Sequence, residues 1–502
     1  MALGFTFTTV RAPGQRSVAT PAGVTRRAAL AGGPAALLAT LGLTACGTIA
    51  PADPPAFAVR RPQPGPPPEP DPPQESIPDT AAGERLNVAL LRRFYARHRF
   101  QPVWPDRGDA AEALVAAVLR AEAHGLDPEL FHAAALRRAA ELAPPDREWL
   151  LSDAVLSYAD ALAHGVVPAD RRRPAEALTP DRVDVAAALD AAIGSPDPAA
   201  VLESLAPATP SYAALRRALA EGTPGPAPAG RAAADRRRML EANLERQRWL
   251  PRALPPDRVW VNVADQRVVL YRADRPVFSA RVVVGADAER DQSPEFRTEI
   301  EGIFLNPPWV VPKDIVDAEL LPRIRRDPDY LARNNMVLRD DGEVEQRAGP
   351  DAGLGYLMLD MPNRFDVYLH DTPGRHVFAR DDRRLSHGCI RVENPRDLAA
   401  LLMEEPVEAI DRGITTGETT RLALPHPVPV FLVYETAFAD PDGTLRFRPD
   451  FYGRDARLWQ RTRANPAADP PRAGPPPAAR GQPANRRAPA RPVTPRRRSL
   501  TA

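Results

Sequence analysis

The sequence predicts an α+β, multidomain protein. A helical domain occupies residues 83–250, a β-rich domain with a helical insertion at 313–355 occupies 256–436, and disordered proline-rich segments lie outside them. Three observations carry that expectation. Apolar residues recur at helical spacing before residue 250, β-branched runs take over after 257, and many of the 60 prolines crowd into a few stretches. With 502 residues and a 44% hydrophobic fraction, the chain is long enough for two or three cores plus extensions.

The helical expectation rests on Leu86, Ala89, Leu90, Phe94 and Tyr95, and on Leu114, Ala117, Val118 and Ala121, each set lining one face. His124-Gly125 and His164-Gly165 read as helix ends, with glycine supplying the left-handed residue. His98, His124, His132 and His164 read as surface or capping histidines, because no second ligand sits at metal spacing. Residues 223–230 form a proline/glycine break. A further helix then spans 236–249 through Met239, Leu240, Leu244 and Trp249, stopped by Pro251 and Pro255-Pro256.

Strands are expected at 259–263, 267–271, 280–284, 365–369 and 428–434, where β-branched and aromatic residues alternate with turn residues. Between them, 313–355 reads as a charged helical insertion followed by a loop. A C-terminal extension follows at 437–463, and the Pro-, Ala- and Arg-rich residues 464–502 lack apolar side chains to bury.

The N-terminus carries an export signature over residues 1–46. Thr25-Arg26-Arg27 precedes a short apolar run, and Leu43-Thr44-Ala45-Cys46 follows. The arginine pair suits twin-arginine or general secretory export. The last four residues resemble a lipobox, in which Cys46 becomes lipidated and holds the protein to a membrane. Residues 47–82 then form a proline-rich tether, an extended spacer of about 3 Å per residue. The expected location is the periplasm or cell envelope. The formal charge of +1 indicates neither an acidic nor a basic partner, and no nucleic acid is expected. Lys313 is the only lysine.

The chain has two cysteines, Cys46 and Cys389. Once the first is cleaved away or acylated, the second is a lone thiol in an oxidising compartment. There, structural cysteines come in pairs, and a lone one is either inert or kept for its reactivity. Its surroundings, Ser386-His387-Gly388-Cys389-Ile390-Arg391, make a poor core sequence. An imidazole beside it would take its proton and hold the pair ionised. His387, two residues away, and His370, nineteen residues upstream, are both candidates for that base. Gly388 allows close approach of substrate, and the amides of Gly388 and Cys389 could face a developing oxyanion. His370, His376, His387 and Cys389 could instead bind zinc, but no CxxC or HxxxH pair is present, so no metal and no cofactor is expected.

His370, a gap of fifteen residues and then Ser386-His387-Gly388-Cys389-Ile390-Arg391 resemble the signature of the L,D-transpeptidase family with the YkuD-type catalytic domain. Asn243-Leu244-Glu245-Arg246, Asn306-Pro307-Pro308-Trp309, Leu369-His370-Asp371-Thr372-Pro373 and Pro102-Val103-Trp104 are similar to the large periplasmic branch, which carries a helical scaffold domain. The resemblance implies a cysteinyl thioester on Cys389, with His370 as base and Ser386, His387, Gly388 and Arg391 lining the site. It also implies peptidoglycan stem peptides as substrates, 3→3 cross-links as products, acylation of Cys389 by carbapenems, and a capping subdomain at 313–355. One departure stands out. That branch usually carries a peptidoglycan-binding domain before the Asn-Leu-Glu-Arg helix, and residues 222–235 are too few for one. Water or a protein amine could replace the second stem as acceptor. A scaffold lipoprotein with a lapsed site is the non-enzymatic alternative.

Overall fold

The computed structural model describes residues 77–221 and 231–464. The export segment with Cys46, nearly all of the 47–82 tether, the 223–230 break and residues 465–502 lie outside the described residues. Among the described residues no helix is long and apolar enough to cross a membrane.

A short hairpin, Thr80–Ala81 with Glu84–Arg85, opens the helical region. Its helices include Val88–Arg97, Gly108–Leu119, Pro144–His164, Val185–Ile193, Pro198–Glu203 and Pro210–Glu221, and the long helix Arg231–Gln247 follows. Their starts follow from local chemistry. Side-chain oxygens of Asn87, Asp184 and Asp197 accept the free amides of Leu90, Ala186 and Ala200. The predicted apolar faces are buried, with Leu91, Phe94, Leu114 and Val118 in one core alongside Leu150, Val155 and Leu162. Gly125 ends its helix in the left-handed conformation, as expected. Gly165 also has a positive φ, but its ψ of 165° makes it an extended exit.

The histidines correct the sequence reading. His124 and His132 are buried. His132 lies 2.9 Å from Asp153 and 3.1 Å from Glu84, and His124 lies 2.8 Å from Tyr212 and 2.9 Å from Glu203. His98 bonds Asp190, and His164 bonds Asp160 while accepting from the Val183 amide. Periodicity alone could not place the His124 and His132 rings inside, because their carboxylate partners lie as far as 79 residues away.

The β-rich region forms a nine-stranded sheet in the order Arg384–Ser386, Arg275–Gly285, Ile390–Val392, Leu369–His370, Leu357–Asp360, Phe296–Leu305, Thr420–Val433, Arg258–Asn262 and Arg267–Arg272. The last strand also pairs with Arg275–Gly285, so the sheet closes on itself like a barrel. Alternation sends Val259, Val261, Val268, Leu270, Val282, Ile303, Leu369 and Ile390 into its core.

One expected strand is mostly absent. Of residues 365–369, only Leu369 joins a strand. Asn363 converts the preceding stretch into a turn, its Oδ1 accepting from the Phe365 and Val367 amides and its Nδ2 donating to the Met361 and Val367 carbonyls. The 313–355 insertion is helical at first, as predicted. Its expected loop instead supplies strands Met336–Leu338 and Val344–Gln346, which pair with each other, the second also with Trp309–Val310, over Val311, Leu320, Met336 and Val344.

The C-terminal extension closes the junction between the two regions. Its hairpin, Ala437–Ala439 with Leu445–Phe447, and its helix Arg454–Arg463 pack on the helical region. Trp249, Phe431, Val433 and Leu458 form an apolar cluster there. Beside it Arg246 bonds Asp455 at 2.6 Å, Arg454 bonds Glu295 at 2.9 Å and Arg461 bonds Glu176 through both Nη atoms at 2.8 Å.

Candidate active site

Two short parallel strands position the residues singled out by the sequence. Leu369 pairs with Ile390, and His370 pairs with Arg391. Because side chains alternate along a strand, the core takes Leu369 and Ile390, and His370 and Arg391 share the opposite face. The Ile390 amide bonds the Tyr368 carbonyl at 2.9 Å, which sets Cys389 beside Tyr368 at the start of that face.

The imidazole of His370 is 5% exposed. Its Nδ1 donates to the Asp371 carbonyl at 2.6 Å, which fixes the tautomer and leaves the Nε2 lone pair as the proton acceptor. Asp371 is itself locked. Its carboxylate accepts from the Tyr356 amide at 3.0 Å and from Arg375 at 2.9 Å, and its own amide bonds the Leu357 carbonyl. Gly355 permits this approach: it has a φ of +64°, and a Cβ there would lie 2.6 Å from Asp371 side-chain atoms. Burial, and then the Arg391 charge, push the His370 pKa down to about 4 against the opposing pull of the Asp371 and Leu354 carbonyls. The ring is therefore neutral at pH 7.

Cys389 is half-buried, and it is a free thiol. Its Sγ lies 3.7 Å from the Asp366 carbonyl and makes no hydrogen bond to His370. Burial raises its pKa, while the Tyr368 amide and the Arg391 charge oppose the rise. The expectation of a pair held ionised is thus corrected. A proton acceptor pushed down to about 4 does not deprotonate a resting thiol pushed up, so both groups rest neutral.

His387 is the other corrected candidate. Its ring is exposed and bonds Glu319 of the capping insertion at 2.6 Å, away from the sulfur. Gly388, with a φ of +111°, breaks the extended geometry that would have set His387 and Cys389 on one face. Nor are both expected amides available. The Gly388 amide bonds Ser386 Oγ at 3.2 Å, and Ser386 Oγ donates to the Cys389 carbonyl at 2.6 Å. The Cys389 amide has no hydrogen-bond partner among the described residues. No three His, Cys, Asp or Glu side chains among the described residues are grouped to hold a metal ion.

Arg391 shares the face of His370. Its guanidinium is largely withdrawn from water, its Nε has no partner, and its charge acts on both His370 and Cys389. Burial lowers its pKa. A guanidinium largely withdrawn from water and without a carboxylate partner among the described residues retains donor capacity for an anionic or carbonyl group. Sequence reasoning placed Asp371 in a family-like stretch without a role, and missed Tyr356, whose amide bonds Asp371, and Ser293, whose hydroxyl bonds the Gly388 carbonyl, because no spacing rule identifies such atoms.

Comparisons with known proteins match both regions. Residues 89–219 match the family model described as a Scaffold domain, and residues 256–420 match the model of the L,D-transpeptidase catalytic domain, YkuD. A Haemophilus influenzae protein named "Putative L,D-transpeptidase" is 31% identical over 223 residues, which is 40% of this chain and 45% of that protein. The chain thus spans less than half the length of the curated relative it matches. A solved structure titled "Structure of the Ldtfm-avibactam carbamoyl enzyme" aligns with 36% of this chain and 49% of its own at 12% identity, with a TM-score of 0.20.

Proposed function

Because the chain belongs to the L,D-transpeptidase family, with a scaffold domain ahead of a YkuD-type catalytic domain, we propose that it forms 3→3 cross-links in peptidoglycan through a thioester on Cys389. The observation that carries this reading is the shared sheet face. It gathers a lone thiol, an imidazole whose tautomer is fixed and whose lone pair is kept neutral, and a guanidinium without a partner.

In this reading Cys389 Sγ attacks the carbonyl of the third residue of a tetrapeptide stem while His370 Nε2 removes the thiol proton. Attack and proton transfer are concerted, since both groups rest neutral. The tetrahedral oxyanion faces the Cys389 amide. Its collapse expels D-alanine, whose amine takes the proton from His370. The side-chain amine of a second stem then attacks the thioester, gives its proton to the same nitrogen, and releases the thiol. Arg391 binds a stem carboxylate. The long Sγ contact in the free enzyme fits a pair that tightens when substrate displaces the thiol from the Asp366 carbonyl. The 313–355 insertion, joined to the motif loop through Glu319 and His387, covers the cleft.

The proposal extends to location. Export and a lipid on Cys46 would hold the enzyme to a membrane outside the cytoplasm, with the proline-rich segment as spacer. The support is the Leu43-Thr44-Ala45-Cys46 pattern.

The test is incubation of the purified protein with disaccharide-tetrapeptide, read by mass spectrometry. A cross-linked dimer lacking one D-alanine is expected. A tripeptide product would make water the acceptor, and a protein adduct would make the enzyme a ligase. Unchanged substrate would favour the non-catalytic scaffold. Cys389→Ala should abolish both the dimer and the carbapenem adduct, and an adduct persisting in that variant would remove Cys389 as nucleophile.

A further inference from the structure

We propose that Ser293, itself held by Tyr452 and Arg454, is a positioning residue that aims the Cys389 amide at the oxyanion; the inference rests on the acyl-transfer reading above. Ser293 is fully buried. Its Oγ donates to the Gly388 carbonyl at 2.8 Å and accepts from the Gly285 amide at 2.9 Å. The Gly388 carbonyl and the Cys389 N–H belong to one peptide plane and point in opposite directions across it. Tying the carbonyl inward to Ser293 therefore turns the amide outward. The hydrogen bond also polarises the peptide, which strengthens its N–H as a donor.

Two serines thus restrain three consecutive peptides. Ser386 takes the amide of the plane before and the carbonyl of the plane after. Ser293 takes the plane between, the one whose N–H has no other partner. That division matters because Gly388, at a φ of +111°, has no side chain to limit its own rotation.

The support for Ser293 comes from sequence far beyond the catalytic-domain match at 256–420. Arg454 donates to the Ser293 carbonyl at 2.9 Å and to Glu295 at 2.9 Å, both ends of that ion pair being buried. The Tyr452 hydroxyl donates to the Gly285 carbonyl and accepts from the Ser293 amide at 3.4 Å. On its far side the segment is tied to the helical region, Glu295 exchanging backbone bonds of 2.7 Å with Ala175 and Ala177. A chain of direct contacts therefore runs from the C-terminal extension and the scaffold to the peptide carrying the nucleophile's amide.

Acylation builds an oxyanion, whereas alkylation of a thiol does not. That contrast separates positioning from general damage. The full-length wild type and Ser293→Ala are each treated with a carbapenem and, separately, with iodoacetamide, and the Cys389 peptide is followed by mass spectrometry across pH. Acylation should slow about tenfold or more, below the loss from deleting an oxyanion donor outright. Alkylation should change by less than about twofold, with an unaltered pH profile. Tyr452→Phe should show a smaller loss of acylation with alkylation retained, and it decides the question if Ser293→Ala does not fold. Equal acylation in wild type and variants would overturn the positioning alone, as would acylation and alkylation falling together. A wild type that is alkylated but never acylated would overturn the acyl-transfer reading and this inference with it.

Discussion

Two buried histidines show how differently the helical region and the barrel treat the same side chain. His132 lies between the carboxylates of Asp153 and Glu84, whereas His370 lies between main-chain carbonyls with a guanidinium nearby. Burial alone would lower both pKa values. The two carboxylates overcome it at His132 and raise the pKa, while at His370 the Arg391 charge adds to it. The helical region uses His132 as half of a buried ion pair, although burial wins at its other buried histidine, His124, and lowers that pKa. The barrel keeps its histidine neutral and able to accept a proton. The same division runs through the arginines, since Arg246 and Arg454 meet buried carboxylates and Arg391 meets none. Arg246 and Arg454 each keep a buried nitrogen without a hydrogen-bond partner yet are neutralised by a carboxylate, whereas Arg391 has no carboxylate partner among the described residues.

The comparison breaks most visibly at His370. His370→Gln should slow acylation by about 10²- to 10⁴-fold, the usual share of a positioned base, as measured by carbapenem adduct formation over time. In the wild type, with the neutral ring as the active form, the histidine should not limit the rate until the pH approaches about 4. A decline centred near pH 6.5 would show that the imidazole is not depressed. Stability follows with a definite sign. The folded pKa lies below the unfolded one, so the unfolded state binds the proton first, and about 3 kcal/mol is lost as pH falls from about 6.5 to 4. His370→Gln should abolish that sensitivity.

Asp153→Asn sharpens the other half. The folded pKa of His132 is raised above its unfolded value, so its stabilisation is present below about pH 6.5 and is lost as pH rises through the folded value. The substitution should cost about 2 kcal/mol at pH 5.5 and less at pH 9, measured by urea unfolding. Equal costs at both would mean that the pair is not ionic. The smallest effect belongs to Glu319→Gln, at a partly exposed pair with His387. Such pairs contribute at most about 1 kcal/mol, so acylation should change by less than about threefold. A tenfold loss would bring the capping insertion into the site itself.

Much of this was legible in the sequence because it depends on local pattern. The apolar spacing around Leu90 and Phe94 located a helix, the β-branched runs from Val259 located barrel strands, and Ser386 to Arg391 with His370 marked the site. Pattern failed where a side chain redirected the backbone, as Asn363 does to residues 365–368, whose Phe-Asp-Val-Tyr composition reads as a strand. It also failed where long-range electrostatics decided the state. Cys beside His suggests an ionised pair, and only the burial of both groups with Arg391 showed that they rest neutral. Ser293 and Tyr452 offered no signal, since a buried serine or tyrosine is unremarkable until its partner is known.

The salt links beneath the junction set a limit on how the molecule can be divided. A recombinant fragment trimmed to the recognised catalytic segment would lose Arg454 and Arg246 together and leave the buried Glu295 carboxylate without either cation; keeping the preceding helix would restore only the 3.9 Å contact with Arg246, itself then without Asp455. Removing one member of such a pair costs about 3–5 kcal/mol, a large part of a typical domain's stability. The shortest soluble version that keeps a working thiol should therefore extend through the helix Arg454–Arg463, well past the point where sequence similarity stops.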